Sequence, residues 1–127
     1  FIHNCNLAGA GFTGAHGTQV SFRGANLAYA DFTASSLPEC DFSLAQMTHA
    51  KLDSGNYWRS IFTEADMGSV SAVAANFMEA RFRKARIVSA DFAESNCFSI
   101  DFTGATLGET RFHGANLKRT VLQDWRP

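Results

Sequence analysis

Residues 75–99 read ANFME-ARFRK-ARIVS-ADFAE-SNCFS, and the architecture follows from the pattern in these blocks. Each block of five begins with a small residue, continues with a polar one and then has an apolar residue at its third position. A period of five matches neither the 3.6-residue turn of an α-helix nor a long alternating strand. The pattern therefore excludes both ordinary templates and indicates a repeat architecture.

The same pattern runs outward from this stretch in both directions without a change of phase. Every fifth residue from Ile2 to Leu122 is large and apolar, over 25 units. The exceptions are Gly17, Ala72 and Cys97. Such regularity does not arise by chance, so we treat the repeat as the organising feature of the chain.

The small-polar-large triplet points in, out and in, as a short strand does, and two residues remain to turn a corner. Four such sides close a coil of about 20 residues, and stacked coils pair as parallel strands about 4.8 Å apart. We predict an all-β fold of about six coils, a rod of about 30 Å. It forms a single domain over residues 1–127, with the regular repeat at 1–122 and a terminal segment at 123–127, where Trp125 breaks the pattern.

These blocks resemble the pentapeptide-repeat family, whose motif is A(D/N)LXX. The motif stands in segments such as Ala75-Asn76-Phe77, Ala90-Asp91-Phe92 and Ala115-Asn116-Leu117. The resemblance covers the whole chain. It implies a right-handed quadrilateral parallel β-helix.

Composition limits the class of protein. The chain has 127 residues, 46% hydrophobic and 18% charged, with 11 basic and 12 acidic residues. The net charge of -1 gives no bulk attraction to nucleic acid or membrane, so we expect no direct nucleic-acid binding. No apolar run is long enough to span a membrane, nothing near Phe1 resembles a signal peptide, and the three cysteines suit a reducing compartment. We therefore expect a cytoplasmic location.

With 20 residues per coil, residues 20 apart stack in columns. We expect four inward columns to form the core, and Val70 to fill the space that Ala72 leaves. The columns are Ile2, Phe22, Phe42, Phe62, Phe82, Phe102 and Leu122; Leu7, Leu27, Met47, Met67, Ile87 and Leu107; Phe12, Phe32, Leu52, Ala72, Phe92 and Phe112; and Gly17, Leu37, Tyr57, Phe77, Cys97 and Leu117.

One outward column is apolar, and we call Pro38, Trp58, Met78 and Phe98 the Trp58 ridge. Charged residues such as Arg59 and Glu79 flank the ridge, and an apolar patch with a charged rim is typical of a protein interface. The alternative is a corner where these side chains fold down over the coil edge. A homodimer through the ridge or the coil ends is one possible use.

Two other outward groups have structural interpretations. Glu39, Arg59 and Glu79 alternate in sign and can pair between coils, and the column Asn56, Asn76, Asn96 and Asn116 predicts a hydrogen-bonded ladder. The basic run Arg81, Arg83, Lys84 and Arg86 lies near Glu64, Asp66, Asp91 and Asp101. We interpret this run as a partly neutralised patch, and an acidic partner is the alternative.

The sequence contains no pattern typical of a catalytic site or a metal site. His3, His16, His49 and His113 fall in different columns, as do Cys5, Cys40 and Cys97, so we expect no metal cluster and no disulfide. No phosphate-loop motif surrounds Gly9, Gly11, Gly14 and Gly17, which we interpret as coil corners. Because the core columns fill any internal cavity, we expect no enzyme and no cofactor.

Two segments are also similar to the quinolone-resistance (Qnr) subgroup of the family, SNCFSIDF at 95–102 and LQDW at 122–125. That similarity implies a dimer that presents a DNA-like rod to DNA gyrase. Mimicry of DNA needs a strongly negative surface, whereas this chain is nearly neutral. No loop interrupts the repeat and no terminal helix follows it, so we expect further sequence or another copy to cover the coil ends.

Three functions remain open. The first is a non-catalytic protein-interaction or scaffold domain that uses the Trp58 ridge or the ends. The second is a DNA mimic that binds gyrase or another topoisomerase. The third is the β-helix of a larger bacterial secreted effector, with catalysis elsewhere.

Overall fold

The computed structural model describes residues 2–122, and parallel β-bridges organise these residues. Every bridge joins two residues 20 apart, from Asn6 with Asn26 to Asp101 with Val121, and successive bridges are five residues apart. One coil therefore contains 20 residues and four bridge positions. This arrangement confirms the predicted β-solenoid, whereas Phe1 and the terminal segment 123–127 lie outside the described residues.

The β-structure is more fragmented than the triplet pattern predicted. Among residues 2–122 each side of the coil contributes a single bridging residue, and neither a longer strand nor a helix is found. The reason is that a corner follows every three residues, so the backbone turns away before a second residue can bridge. Handedness and the quadrilateral cross-section stay predictions.

Every backbone N–H of a five-residue unit donates a hydrogen bond, as residues 76–80 illustrate. Three of its N–H groups donate to carbonyl groups of neighbouring coils, with N···O distances of 2.8 to 2.9 Å. The N–H of Ala80 closes the corner onto the carbonyl of Phe77 at 2.9 Å. The remaining N–H, that of Met78, donates to Oδ1 of Asn76 at 3.1 Å. The polar residue of the motif thus supplies an acceptor that the ladder lacks.

Each corner places its second residue in the left-handed region. At every fifth position from 4 to 119 the φ angle is positive, at 56° to 62° for non-glycine residues and 70° to 73° for glycines. Gly9 and Gly14 occupy such corners, as predicted. The prediction was wrong for Gly11, which bridges to Asp31, and for Gly17, which occupies a large-residue position, because neither falls on the corner phase.

Stacked aromatic rings run along the centre of the coil. The rings of Phe42 and Phe62 are parallel to within 1°, with centroids 5.0 Å apart, and Phe82 continues the stack at 4.8 Å. All three side chains are fully buried. Burial of a phenylalanine contributes about 2 kcal/mol, so these columns provide the main driving force for folding.

The positions that lack a large side chain are compensated by a neighbour. Val20 lies so close to Gly17 that a Cβ on the glycine would be 3.0 Å from the valine methyl group. Val70, beside Ala72, is buried, as predicted. Ile100 is likewise buried near Cys97. The core thus conserves its volume locally, as close packing requires.

Candidate interaction surface

The four side chains of the Trp58 ridge lie one above the other on successive coils. Each is the first of the two residues that form one corner of its coil, and each is half-buried. The preceding large residue points into the core and the following residue has positive φ, so the backbone directs the ridge side chains outward at the corner. The structure therefore brings Pro38, Trp58, Met78 and Phe98 together in one column.

The asparagine column beside the ridge fixes its backbone. Oδ1 of Asn56 accepts the N–H of Trp58 at 3.2 Å, and Asn96 accepts that of Phe98 at 3.1 Å. Asn76 also donates its Nδ2 to Oδ1 of Asn56 at 3.0 Å, which is one step of the predicted ladder. These asparagines therefore act mainly as caps for the corner.

Pro38 is held by a different device. Proline has no N–H, so the column needs no asparagine there and carries Ser36 instead. The hydroxyl of Ser60 enters this corner from the next coil. It donates to the carbonyl of Leu37 at 2.8 Å and accepts the N–H of Cys40 at 3.1 Å. Ser60 thereby links the Pro38 corner to the coil that contains Trp58.

Arg59 covers part of the ridge. Its guanidinium carbon lies 4.5 Å from the centroid of the Trp58 ring, and its Nε is 2.7 Å from Oε2 of Glu79. The side chains of Arg59 and Glu79 are 52% and 38% exposed, so the ion pair contributes at most about 1 kcal/mol. The predicted pairing of alternating charges is therefore found between Arg59 and Glu79, and Glu39 is exposed.

A shallow depression of about 410 Å³ opens on the far side of Arg59 from the ridge. Glu39, Arg59 and Glu79 line it together with Ile61 and Arg81. Sequence reasoning missed Ile61. The available signal was an isoleucine at the outward position of the motif, where a polar residue is usual.

Other exposed apolar side chains were also missed. Tyr29 is 65% exposed and stacks on the ring of His49, with centroids 4.7 Å apart. Leu44 and Val121 are 44% and 48% exposed. Tyr29 and Leu44 are the second residues of their corners, whereas Val121 lies at a bridge position. Isolated exposed apolar residues are common on soluble proteins.

The basic run is partly neutralised, as predicted. Arg86 pairs with Asp66 at 2.8 Å, and Arg83 lies 3.9 Å from Asp101. Opposite charges also stack at bridge positions on several sides of the coil. The bridged pairs are Asp31 with Lys51, Asp66 with Arg86, Arg81 with Asp101 and Asp91 with Arg111.

Few groups on the described surface have reactive chemistry. Within residues 2–122 no group of three or more histidine, cysteine or acidic side chains could hold a metal ion. All three cysteines are free; Cys5 is exposed, whereas Cys40 and Cys97 are buried. Burial raises the pKa of Cys97 to about 11 and also raises that of Cys40, so neither thiol is activated. None of the described residues forms a helix long and apolar enough to cross a membrane.

Stacked 20-residue coils around an apolar core define the chain as a β-solenoid protein. The family profile of pentapeptide repeats matches it with eight copies, over residues 2–37, 25–56, 60–96 and 95–124. The chain therefore belongs to the pentapeptide repeat family. Comparison with curated proteins gave no match.

Two solved structures share this fold at low sequence identity. The pentapeptide repeat protein Rfr23 from the cyanobacterium Cyanothece 51142 is 19% identical, with a TM-score of 0.71 over 94% of this chain and 88% of that one. A trypsin-treated variant of QnrB1, a plasmid-mediated fluoroquinolone resistance protein, is 16% identical. Its TM-score is 0.72 over 93% of this chain and 70% of that one. At identities this low, the structural similarity establishes only a common fold.

Proposed function

We propose that this chain is a non-catalytic protein-interaction domain that binds a protein partner through the Trp58 ridge. The observation that carries the proposal is the column of four half-buried apolar side chains on adjacent coils, with Arg59 and Glu79 at its rim. Tryptophan, methionine and arginine are enriched at interface centres. A continuous rod gives such a column a rigid backbone, which lowers the entropic cost of binding.

The fold gives little support to a catalytic function. The coil interior is filled by aromatic side chains, and the depression beside Arg59 is shallow and open to solvent. We accordingly expect no enzymatic activity and no cofactor. We take the coil to be right-handed and quadrilateral and its compartment to be the cytoplasm, as the family resemblance and the composition suggest.

Affinity capture from the source cells tests the ridge. The Trp58→Ala/Met78→Ala double variant should lose proteins that the wild type retains. A matched Tyr29→Ala/Leu44→Ala variant, which removes exposed apolar side chains elsewhere, should retain them. If the ridge variant captures the same proteins as the wild type, the Trp58 ridge is not the interface.

The gyrase-binding alternative has less physical support. A DNA mimic needs a continuous negative surface, whereas acidic and basic residues are bridged coil to coil on this rod. A supercoiling assay with DNA gyrase, with and without a fluoroquinolone, separates the two functions. Inhibition or drug protection at micromolar protein would favour the DNA mimic, and no effect at high concentration would favour the interaction domain. Sequence flanking this chain would test the effector hypothesis.

A further inference from the structure

One side of the coil differs from the other three at its bridge positions. This side, which we call the Ile61 face, carries Ser21, Asp41, Ile61, Arg81, Asp101 and Val121 in bridging order. Ile61 is half-exposed, whereas its neighbours Ser60 and Phe62 are fully buried, so the isoleucine side chain points outward. The other three sides carry no aliphatic residue at their described bridge positions.

The charges on the Ile61 face are arranged around the isoleucine. Asp41 bridges to Ile61 from one neighbouring coil and Arg81 from the other, so each lies about 4.8 Å from it along the rod. Within the described residues neither Asp41 nor Arg81 has an ion-pair partner within 4.0 Å on this chain. Along the axis from Asp41 to Arg81, the residue types on the face are therefore acidic, aliphatic and basic.

When a second copy of this face is turned end to end and placed opposite the first, each of these two charges meets a charge of opposite sign. We infer that a second copy of this chain docks on the Ile61 face, antiparallel, about a two-fold axis through Ile61. In this arrangement the two isoleucines meet, and Asp41 of each copy faces Arg81 of the other. Ser21, whose hydroxyl is hydrogen-bonded to the ring of His3 at 2.6 Å, then faces Asp101 of the partner.

A parallel arrangement is unfavourable because it places like charges opposite each other at both positions. At the rim of the antiparallel contact, Glu39 of one copy faces Glu79 of the other, and the Arg59 side chains lie between them. The side of the coil is narrow, so the buried area falls below the roughly 1,200 Å² of a standard interface, and the dimer is weak. The contact lies on a different surface from the Trp58 ridge and so goes beyond the proposed function.

Charge exchange between two variants tests the antiparallel dimer. Sedimentation velocity at protein concentrations from about 10 µM to about 1 mM covers the range expected for a weak dimer. Asp41→Arg and Arg81→Asp, each alone, turn both attractive pairs into repulsive ones and should each weaken self-association at least about tenfold. An equimolar mixture of the two variants restores an opposite-charge pair at both positions, so it should associate about as well as the wild type.

Matched controls separate this contact from general effects of charge. Asp91→Arg and Arg111→Asp make the same changes at bridge positions on another side of the coil and should leave association unchanged. Arginine already occupies bridge positions at Arg86 and Arg111, so the fold accepts it there. Circular dichroism of each variant checks folding.

Each outcome decides the proposal. Loss in both single variants with recovery in the mixture supports it. A wild type that stays monomeric to about 1 mM overturns it, as does association that survives both single variants. Association lost only in Trp58→Ala would place the dimer on the ridge and also overturn it, whereas the partner-capture experiment tests the ridge independently.

Discussion

A single side-chain oxygen explains why aspartate and asparagine are the most frequent second residues of the repeat. Oδ1 of Asp41 accepts the N–H of Ser43 at 2.8 Å, and Oδ1 of Asn26 accepts the N–H of Ala28 at 3.1 Å. Both residue types provide the same acceptor in the same geometry, and only aspartate adds a charge. The acidic residues of this surface are therefore partly structural, which weakens any functional argument based on counting carboxylates.

The aspartates predict a pH dependence of stability. Hydrogen bonds from the side chain and backbone of Thr33 lower the pKa of Asp31. Burial opposes ionisation of Asp101, but hydrogen bonds from Thr103 and the charge of Arg83 outweigh it and lower its pKa. Since the folded pKa values lie below the unfolded ones, the stabilisation is present above the unfolded pKa, about pH 4, and is lost as pH falls through the folded values.

Asp31→Asn/Asp101→Asn should accordingly show a smaller fall in Tm between pH 7 and pH 3 than the wild type, because the amide keeps Oδ1 but does not titrate. Thermal unfolding at both pH values measures the difference. Glu64→Gln/Glu94→Gln makes the same change in net charge at two exposed positions and should behave like the wild type. Equal pH sensitivity in all three proteins would contradict the assigned role of the two aspartates.

The cysteines should differ sharply in reactivity. We expect a chromogenic disulfide reagent at pH 8 to modify Cys5 rapidly in the native protein. Cys40 and Cys97 should react only after unfolding, because both are buried and burial raises the pKa of each thiol. One equivalent should therefore react before denaturant is added and three afterwards. Rapid reaction of two or three native thiols would show that the core columns open readily.

Pairs of neighbouring positions, rather than single residues, set the packing of a coil. Ala72 stands in a column of large residues, and the buried Val70 stands where alanine is usual. Phe92, on the next coil of the same column, contacts the ring of Phe77 on the adjoining side at 5.1 Å with a tilt of 36°, unlike the parallel Phe42 stack. The ring geometry at Phe92 therefore differs from that of the regular Phe42 stack.

A double-mutant cycle tests the exchange of volume. Ala72→Leu alone should cost about 1–3 kcal/mol by overpacking, and Val70→Ala alone about 1–3 kcal/mol by leaving a cavity. Together they recreate the usual alanine-leucine unit, so the double variant should lie within about 1 kcal/mol of the wild type. Unfolding in denaturant measures the coupling. Ala72→Leu with Val20→Ala, whose sites lie more than two coils apart, should be additive, and additivity in the first pair would contradict the exchange.

The sequence predicted this level of structure well because the repeat tolerates no change of phase. Columns 20 residues apart, the buried Val70 and the grouping of Pro38, Trp58, Met78 and Phe98 all follow from the period alone. The conformations of long side chains do not follow from it. Arg59 could have pointed to Glu39 or into solvent, and its position over Trp58 depends on a cation–π contact and one ion pair of similar small energy. The depression beside Ile61 depends on that choice, so it was not predictable.

At the scale of the whole rod, each coil is stabilised only by the coils next to it. One core column shows the consequence. In this column Phe32 and Phe92, on inner coils, are fully buried, whereas Phe12 and Phe112, nearer the ends, are partly exposed. Stability in such arrays is close to a sum of repeat terms and nearest-neighbour terms. The first and last described coils have a neighbour on one side only within the described residues, so they contribute less than the central ones.

Hydrogen exchange should therefore vary along the rod. We expect amides in residues 41–100 to be the most protected, and those in 2–20 and 103–122 to exchange through local opening at lower free energy. Mass spectrometry of peptides, referenced to the unfolded chain and recorded at low micromolar concentration, measures this without self-association. Equal protection in all coils would mean that the rod opens as one unit, and the nearest-neighbour argument would fail. A minimum at residues 36–40 would instead locate the weakest link at the Pro38 corner, where the Ser60 hydroxyl replaces the backbone bond between Cys40 and Leu37.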